Sequence, residues 1–160
     1  MEHNRLERVV KKAVEGAMAG EFMSLEVAVG LIQQIEEKAR EMGLAVVTAV
    51  SDASGRPIAV HCMDGAFHGS FDVALHKAYT STAFQMSTEN LSRLCQPGGE
   101  FYGLQFSNQG QVMILGGGEP LMAGEVMIGG LGVSGATAAQ DSELAAYGKA
   151  ILKKQYEKAI

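Results

Sequence analysis

Four histidines are the side chains in this sequence best suited to bind iron or to move protons near neutral pH. They are His3, His61, His68 and His76. No two of them have the spacing that would place both imidazoles on one face of a helix as a ligand pair. Each is therefore either an ordinary surface histidine or a single ligand that acts without a histidine partner.

Residues 130–135 read Gly-Leu-Gly-Val-Ser-Gly, which matches the GxGxxG pattern of dinucleotide-binding loops. Such a loop needs a second parallel strand and an acidic residue about 20 positions further on. The chain after Gly135 has the length and periodicity of one helix, which excludes a Rossmann site. Two interpretations stay open: the glycines allow close packing or a bulge in a strand, or backbone N–H groups of residues 134–137 bind a carboxylate.

A second glycine run, Gly116–Gly118, is not followed by Lys-Ser/Thr and so is not a phosphate-binding loop. It is either the turn at the end of a strand or a wall of backbone against which a flat ligand packs. Most of the chain's 20 glycines lie between Gly98 and Gly135, so this third of the sequence needs close backbone approach or unusual dihedral angles.

The two cysteines, Cys62 and Cys95, form neither a CxxC pair nor a cluster with other metal-ligating residues. We predict that both are small buried hydrophobic residues rather than nucleophiles or disulfide partners. Cysteines that form no disulfide are typical of proteins in a reducing compartment.

Composition excludes several classes of protein. The net charge is −5 at pH 7, and no cluster of Lys and Arg alternates with aromatic residues, which argues against a nucleic-acid partner. No run reaches the ~18 apolar residues of a membrane-spanning helix, and the N-terminus lacks the apolar core of a signal peptide. We therefore expect a soluble, cytoplasmic protein with no membrane contact.

Apolar periodicity and capping residues predict five helices. They cover residues 4–18, 25–42, 70–86, 88–95 and 137–160. Ser24 and Ser70 are the predicted N-caps of the second and third helices. Because a break follows the first helix, we divide the chain into an amphipathic appendage over residues 1–20 and a domain over residues 21–160.

Five β-rich segments predict five strands. They cover residues 44–51, 57–63, 101–106, 111–115 and 126–133. The strands lie in hairpins rather than alternating one by one with helices, which favours an α+β fold with an antiparallel sheet over a parallel doubly wound one.

The ordered set of motifs resembles the GlcG/HbpS family of haem-binding or haem-degrading-type proteins, and within it the C-terminal domain of the PduO cobalamin adenosyltransferases. The residues that carry the resemblance are Asp52-x-x-Gly55, Met63-Asp64-Gly65-Ala66, Lys77-Ala78-Tyr79-Thr80, Gln96-Pro97-Gly98, Tyr102-Gly103, Gly116-Gly117-Gly118-x-Pro120-Leu121, and Gly129-Gly130-x-Gly132-Val133-Ser134-Gly135 followed by Asp141. The resemblance implies a profilin-like α+β fold, a five-stranded antiparallel sheet flanked by helices, and assembly into homo-oligomers.

The resemblance also implies a haem site, or a corrinoid (cobalamin) site, near a subunit contact. Carried onto this sequence, the binding residues are Asp64, Lys77, Thr80, Gly117, Gly118, Ser134 and Gly135, with His68 and His76 as candidate ligands of the haem iron. Lys77 would pair with a carboxylate, and the glycines would let backbone approach a macrocycle. Cys62 stands where relatives often have Arg, which removes one anion contact.

We expect a haem- or corrinoid-binding accessory protein linked to propanediol or glycolate metabolism. It is not expected to be an adenosyltransferase, because that chemistry belongs to the domain that precedes this module in PduO. The alternative is an enzyme or sensor of a small metabolite that uses the same pocket around Lys77. Residues 1–20 resemble peptides that target cargo to the shell of a bacterial microcompartment; alternatively, they pack on their own domain or across a dimer.

Overall fold

The computed structural model describes residues 22–159. Helix α1 spans Leu25–Glu41, and its N-cap is Ser24 as predicted, since the Val27 N–H donates to the Ser24 hydroxyl at 3.2 Å. The helix ends at a turn through Gly43, which has a φ of +71° that favours glycine. The predicted helix over residues 4–18 lies outside the described residues.

Four antiparallel strands form one sheet in the order β2-β1-β4-β3. The strands are β1 (Val47–Asp52), β2 (Pro57–Cys62), β3 (Gly118–Ala123) and β4 (Val126–Ser134). In the register of the sheet, Val47 lies opposite both Cys62 and Ser134, so β2 and β4 end at the same end of the sheet.

Three further helices complete the described fold. They are α2 (Ser70–Ala83), α3 (Thr88–Leu94) and α4 (Ala138–Ala159). Helices α1 and α4 pack on each other and on one face of the sheet around a core that includes Leu31, Ile35, Val50, Ile128, Leu131 and Leu144. Helix α2 packs on the other face against Val47 and Ala49, which gives three layers.

Two glycines of β4 set the distance between the sheet and α2. A Cβ atom at Gly132 would meet the carbonyl oxygen of Ala74, and one at Gly130 would meet the carbonyl oxygen of Ala78. The backbone of α2 therefore lies directly on β4, where no larger residue fits. Of the two interpretations of the GxGxxG run, close packing is confirmed.

The prediction of five strands was wrong in its middle part. Residues 101–106 and 111–115 contain no strand, because positive φ angles at Gly103, Asn108, Gln109 and Gly110 turn the chain repeatedly. Two short 3₁₀ helices, Leu104–Phe106 and Asn108–Gly110, lie there instead. Strand β3 was not predicted, since its Pro120 argues against a strand. It is an edge strand, where a missing N–H is tolerated.

Helix α2 differs from its prediction at both ends. Ser70 is its first residue rather than its N-cap, which is Gly69 and provides no side-chain hydrogen bond. The helix stops at Ala83 because Gln85 has a φ of +53°, which a continuing helix does not allow. Helices α3 and α4 lie close to their predicted positions.

Candidate functional site

An ion pair between Lys77 of α2 and Asp141 of α4 lies inside the protein. The Lys77 Nζ donates to Asp141 Oδ2 at 2.9 Å and to the carbonyl oxygen of Val133 at 2.8 Å. Lys77 is 1% exposed and Asp141 is 3% exposed. The pair therefore joins two helices to the last residues of β4, and it is almost completely shielded from solvent.

The glycines of the 116–118 run enclose this pair. Gly117 has a φ of +118°, and a Cβ atom there would lie 2.8 Å from both Lys77 Nζ and the Asp141 Cβ. The Gly117 carbonyl accepts from the Val133 N–H at 2.8 Å, and the Gly118 N–H donates to the Thr88 hydroxyl at 2.8 Å. The run thus leads into β3, whose first residue is Gly118, instead of ending a strand over residues 111–115.

The start of α4 uses its own side chains to satisfy its backbone donors. The Ala136 N–H donates to Asp141 Oδ1 at 3.0 Å, and the Thr137 N–H donates to Gln140 Oε1 at 3.2 Å. The Gln140 N–H in turn donates to the Thr137 hydroxyl at 3.2 Å, which completes a capping box. Two of the N–H groups considered as an anion site are therefore already paired within the chain.

Burial lowers the pKa of Lys77, and the hydrogen bond and charge of Asp141 oppose that decrease. A ligand carboxylate would have to displace Asp141 to reach this ammonium group. The arrangement can anchor and orient the surrounding backbone, but it presents no free cation at the surface.

Thr80 has a comparable role one turn further along α2. Its hydroxyl donates to the Gln111 carbonyl at 3.3 Å and accepts from the Met113 N–H at 2.9 Å. Thr80 is completely buried, so it fixes the 111–113 segment to the helix. Lys77, Thr80, Gly117 and Gly118 thus form an internal node around α2.

The remaining predicted site residues lie at the end of the sheet where β2 and β4 stop. Ser134 is buried there, and Gly135 packs against the backbone of Ala45 and Val46. Asp64 is exposed and lies two residues after the end of β2. Because Gly132 contacts Ala74 while Gly130 contacts Ala78, α2 begins at this same end of the sheet.

His68 lies in the turn that leads into α2, and it is exposed. Two aromatic side chains accompany it: Phe67 is 73% exposed and Phe71 is 43% exposed. The turn is closed by the Phe71 N–H, which donates to the His68 carbonyl at 3.3 Å. These two phenylalanines were not predicted as site residues, although their positions on either side of a histidine were a readable signal.

The other described histidines have different surroundings. His76 is half-buried on α2 beside Lys77. His61 lies on β2, where its Nδ1 is 2.9 Å from Glu36 Oε1 of α1. Within residues 22–159, no three His, Cys, Asp or Glu side chains converge as a metal-binding group.

The two cysteines differ in their exposure to solvent. Cys95 is buried, as predicted, and burial raises the pKa of its thiol. Cys62 is exposed, contrary to prediction, because it is the last residue of the edge strand β2.

None of the helices described in residues 22–159 is both long enough and apolar enough to cross a membrane.

Comparison with known proteins gives a consistent result. Residues 23–150 match the family described as haem degrading protein HbpS-like. The chain is 40% identical over 123 residues to the uncharacterized 15.0 kDa protein of the dhaT-dhaS intergenic region of Citrobacter freundii, covering 77% of this chain and 87% of that protein.

A second relative is the corrinoid adenosyltransferase PduO of Salmonella typhimurium, which is 38% identical over 109 residues. That match covers 68% of this chain but 32% of PduO, so this chain corresponds to about a third of that enzyme. The solved structure of a PduOC:heme complex superimposes with a TM-score of 0.77 at 34% identity, covering 81% of this chain and 94% of the other.

Proposed function

Because this chain belongs to the HbpS-like family of haem-degrading-type proteins, we propose that it is a haem-binding accessory protein. The structural similarity to a domain named in complex with haem supports the proposal. The observation on this chain that carries it is that His68, Phe67 and Phe71 are all exposed in and just after the turn that leads into α2.

These residues suit the chemistry of haem. Its macrocycle is flat and apolar, so it packs against aromatic rings, and its iron takes an imidazole as an axial ligand. Its propionates are anionic, and the positive end of the α2 dipole lies beside His68. When bound, haem would supply a redox-active iron, while His68 would hold it and the two phenylalanines would orient the ring.

In this proposal the internal node holds in place the backbone on which the haem site is built. The Lys77 ion pair fixes the end of β4 and thereby Ser134 and Gly135, while Gly117 and Gly118 allow that packing. Asp64 contributes an exposed carboxylate at the same end of the sheet. A corrinoid is the second tetrapyrrole to test, since PduO is named as a corrinoid adenosyltransferase.

The competing hypothesis was an enzyme or sensor of a small metabolite that uses Lys77 as its charged group. The structure gives it less support, because the Lys77 ammonium is buried and paired with Asp141. A metabolite carboxylate would first have to break that pair.

Replacing His68 by alanine is expected to weaken haemin binding by about tenfold or more and to shift the Soret band, because the axial nitrogen is lost. The measurement is a haemin titration followed by visible absorption. His61→Ala is the matched control, since His61 is held by Glu36 away from the turn, and it should bind as the wild type does.

The same titration with His76→Ala tests the other candidate ligand. We expect an unchanged spectrum. Loss of the Soret shift in His76→Ala, with normal binding by His68→Ala, would assign the iron to His76 and overturn the role of His68. Normal spectra in both variants would show that neither His68 nor His76 is the ligand of the iron.

We further propose that the protein is a homo-oligomer that acts in the cytoplasm or in a microcompartment lumen, with residues 1–20 as a targeting segment for the shell. Exposed aromatic side chains at Phe101, Tyr102 and Phe106 support self-association, because burying them against a second copy is favourable.

Deleting residues 1–20 is expected to abolish co-sedimentation with microcompartment shells while the elution volume and melting temperature stay unchanged. Those two properties serve as the internal control. If the truncated chain loses its assembled state instead, the segment is an oligomerisation element and the targeting proposal is wrong.

A further inference from the structure

The two edge strands of the sheet, β2 and β3, differ in how well their outer edges are protected. At β3, the Gly118 N–H donates to the Thr88 hydroxyl at 2.8 Å, and Pro120 has no N–H to offer. Both features keep an edge strand from pairing with a strand of another chain. Strand β3 is therefore a poor template for a further strand.

Strand β2 lacks such protection in the part of the chain that the structure describes. It runs from Pro57 to Cys62 without a Lys, Arg, Asp or Glu, and its proline is its first residue. The side chains between its two ends are only half-buried, whereas all but the last residue of the neighbouring strand β1 are buried. Ile58, Ala59 and Val60 thus keep apolar surface in contact with water at an edge that can accept another strand.

The ladder between β1 and β2 shows which backbone groups of β2 point outward. The Met63 N–H donates to the carbonyl of the residue that precedes β1, so Met63 faces β1. Because the direction of these groups alternates along an antiparallel strand, the N–H and carbonyl groups of Val60 and Cys62 face away from β1. The Ile58 carbonyl also faces away, since the N–H of Ala59, in the same trans peptide unit, faces β1.

These outward groups are self-complementary about a two-fold axis. When two copies of β2 run antiparallel with their Val60 residues opposite each other, each Val60 N–H faces the Val60 carbonyl of the other copy. Each Cys62 N–H then faces the Ile58 carbonyl of the other copy. The same register places His61 opposite Ala59, so no two like charges lie across from each other.

The charges at the two ends of β2 favour the same arrangement. Arg56 immediately precedes β2, Asp64 lies two residues after it, and both are exposed. Since antiparallel strands place each end beside the opposite end of the partner strand, Arg56 of one copy lies near Asp64 of the other, twice by symmetry. This charge complementarity favours a second copy over an unrelated strand. It does not compete with haem, whose iron and ring are assigned to His68 and the two phenylalanines.

We propose that β2 is the surface through which two copies of this chain form a dimer with one continuous sheet. The sheet then runs β3-β4-β1-β2 in one copy and β2-β1-β4-β3 in the other. The half-exposed apolar residues of β2 become buried, and its outward backbone groups gain partners. The proposal rests on the homo-oligomer proposed above, and it names the surface at which the copies meet.

Cys62→Pro tests the backbone pairing. It removes an N–H that faces away from its own chain, and it places a proline ring against the second copy. We expect the Kd of the dimer to rise by about tenfold or more in equilibrium sedimentation of the full chain. Cys62→Ser is the matched control: it keeps the N–H and should dimerise as the wild type does. Circular dichroism at the same concentrations checks that the proline variant is folded.

A charge exchange tests the register while leaving the backbone of β2 unchanged. Arg56→Glu and Asp64→Arg are each expected to weaken the dimer by about tenfold, because each brings like charges together at both ends of the interface. The double variant restores opposite charges and should dimerise like the wild type. Arg93→Glu is the control, since Arg93 pairs with Glu89 on α3, and it should leave the Kd unchanged.

The possible failures are distinguishable. Normal dimerisation of Cys62→Pro, or a double charge variant as weak as the single ones, would show that the copies meet at another surface. The interface proposal would then be wrong while the homo-oligomer stands. A wild-type chain that stays monomeric at about 100 µM would contradict both proposals.

Discussion

Replacing Lys77 by methionine is expected to lower the free energy of unfolding by about 3–5 kcal/mol. The substitution keeps an unbranched chain of similar length but leaves the Asp141 carboxylate buried without its cation. The Val133 carbonyl also loses its donor. Urea unfolding at a fixed protein concentration measures the change.

The double variant Lys77→Met with Asp141→Asn separates the buried charge from the loss of packing. Asparagine keeps an oxygen to accept from the Ala136 N–H, so the double variant should be more stable than Lys77→Met alone. Lys149→Met is the matched control: its ion pair with Glu119 is half exposed and should contribute less than about 1 kcal/mol. If Lys77→Met unfolds like the wild type, the internal node is not the anchor that we describe.

Replacing Gly132 by alanine is expected to cost about 3 kcal/mol or more, at or above the upper end of the usual range for overpacking. The added methyl group would meet the carbonyl oxygen of Ala74 and lie 2.8 Å from the Ala78 nitrogen. Both atoms belong to the backbone of α2, so no side-chain rotation relieves the contact and the helix must move off the sheet. Thermal and urea unfolding both measure this.

Gly30→Ala is the control for that substitution. Gly30 lies inside α1, and a Cβ atom there meets nothing within 4 Å. Alanine should therefore leave stability unchanged or raise it by up to about 1 kcal/mol, because it is the better helix former. Equal stability of Gly132→Ala and the wild type would show that α2 does not need the glycine surface of β4.

Local signals predicted most of the fold. Ser24 and Gly43 mark the limits of α1 because capping is a property of a few neighbouring residues. The strand at Gly118–Ala123 was missed because its proline is tolerated only at the edge of a sheet, and the position of a strand in a sheet is a long-range property. The opposite error at residues 101–106 arose because apolar alternation was present while Gly103, with a φ of +95°, turned the chain.

The structure shows where the predicted site residues lie, while their binding of a ligand stays a prediction. Lys77 and the two glycine runs do converge, but on Asp141, which lies far away along the chain and was not chosen as the partner of Lys77. A sequence shows that a lysine is present; it does not show whether the fold supplies a buried carboxylate for it. The positions of Phe67 and Phe71 beside His68 are readable in the sequence, but their exposure is not, since it depends on how the turn before α2 packs.

The central claim is that this chain binds haem. The direct test is a titration of the purified wild-type protein with haemin, followed at the Soret band. We predict a shifted band that saturates at one haem per chain, as expected for a single built site. A spectrum that stays that of haemin in buffer, or that grows linearly without saturation, would contradict the account.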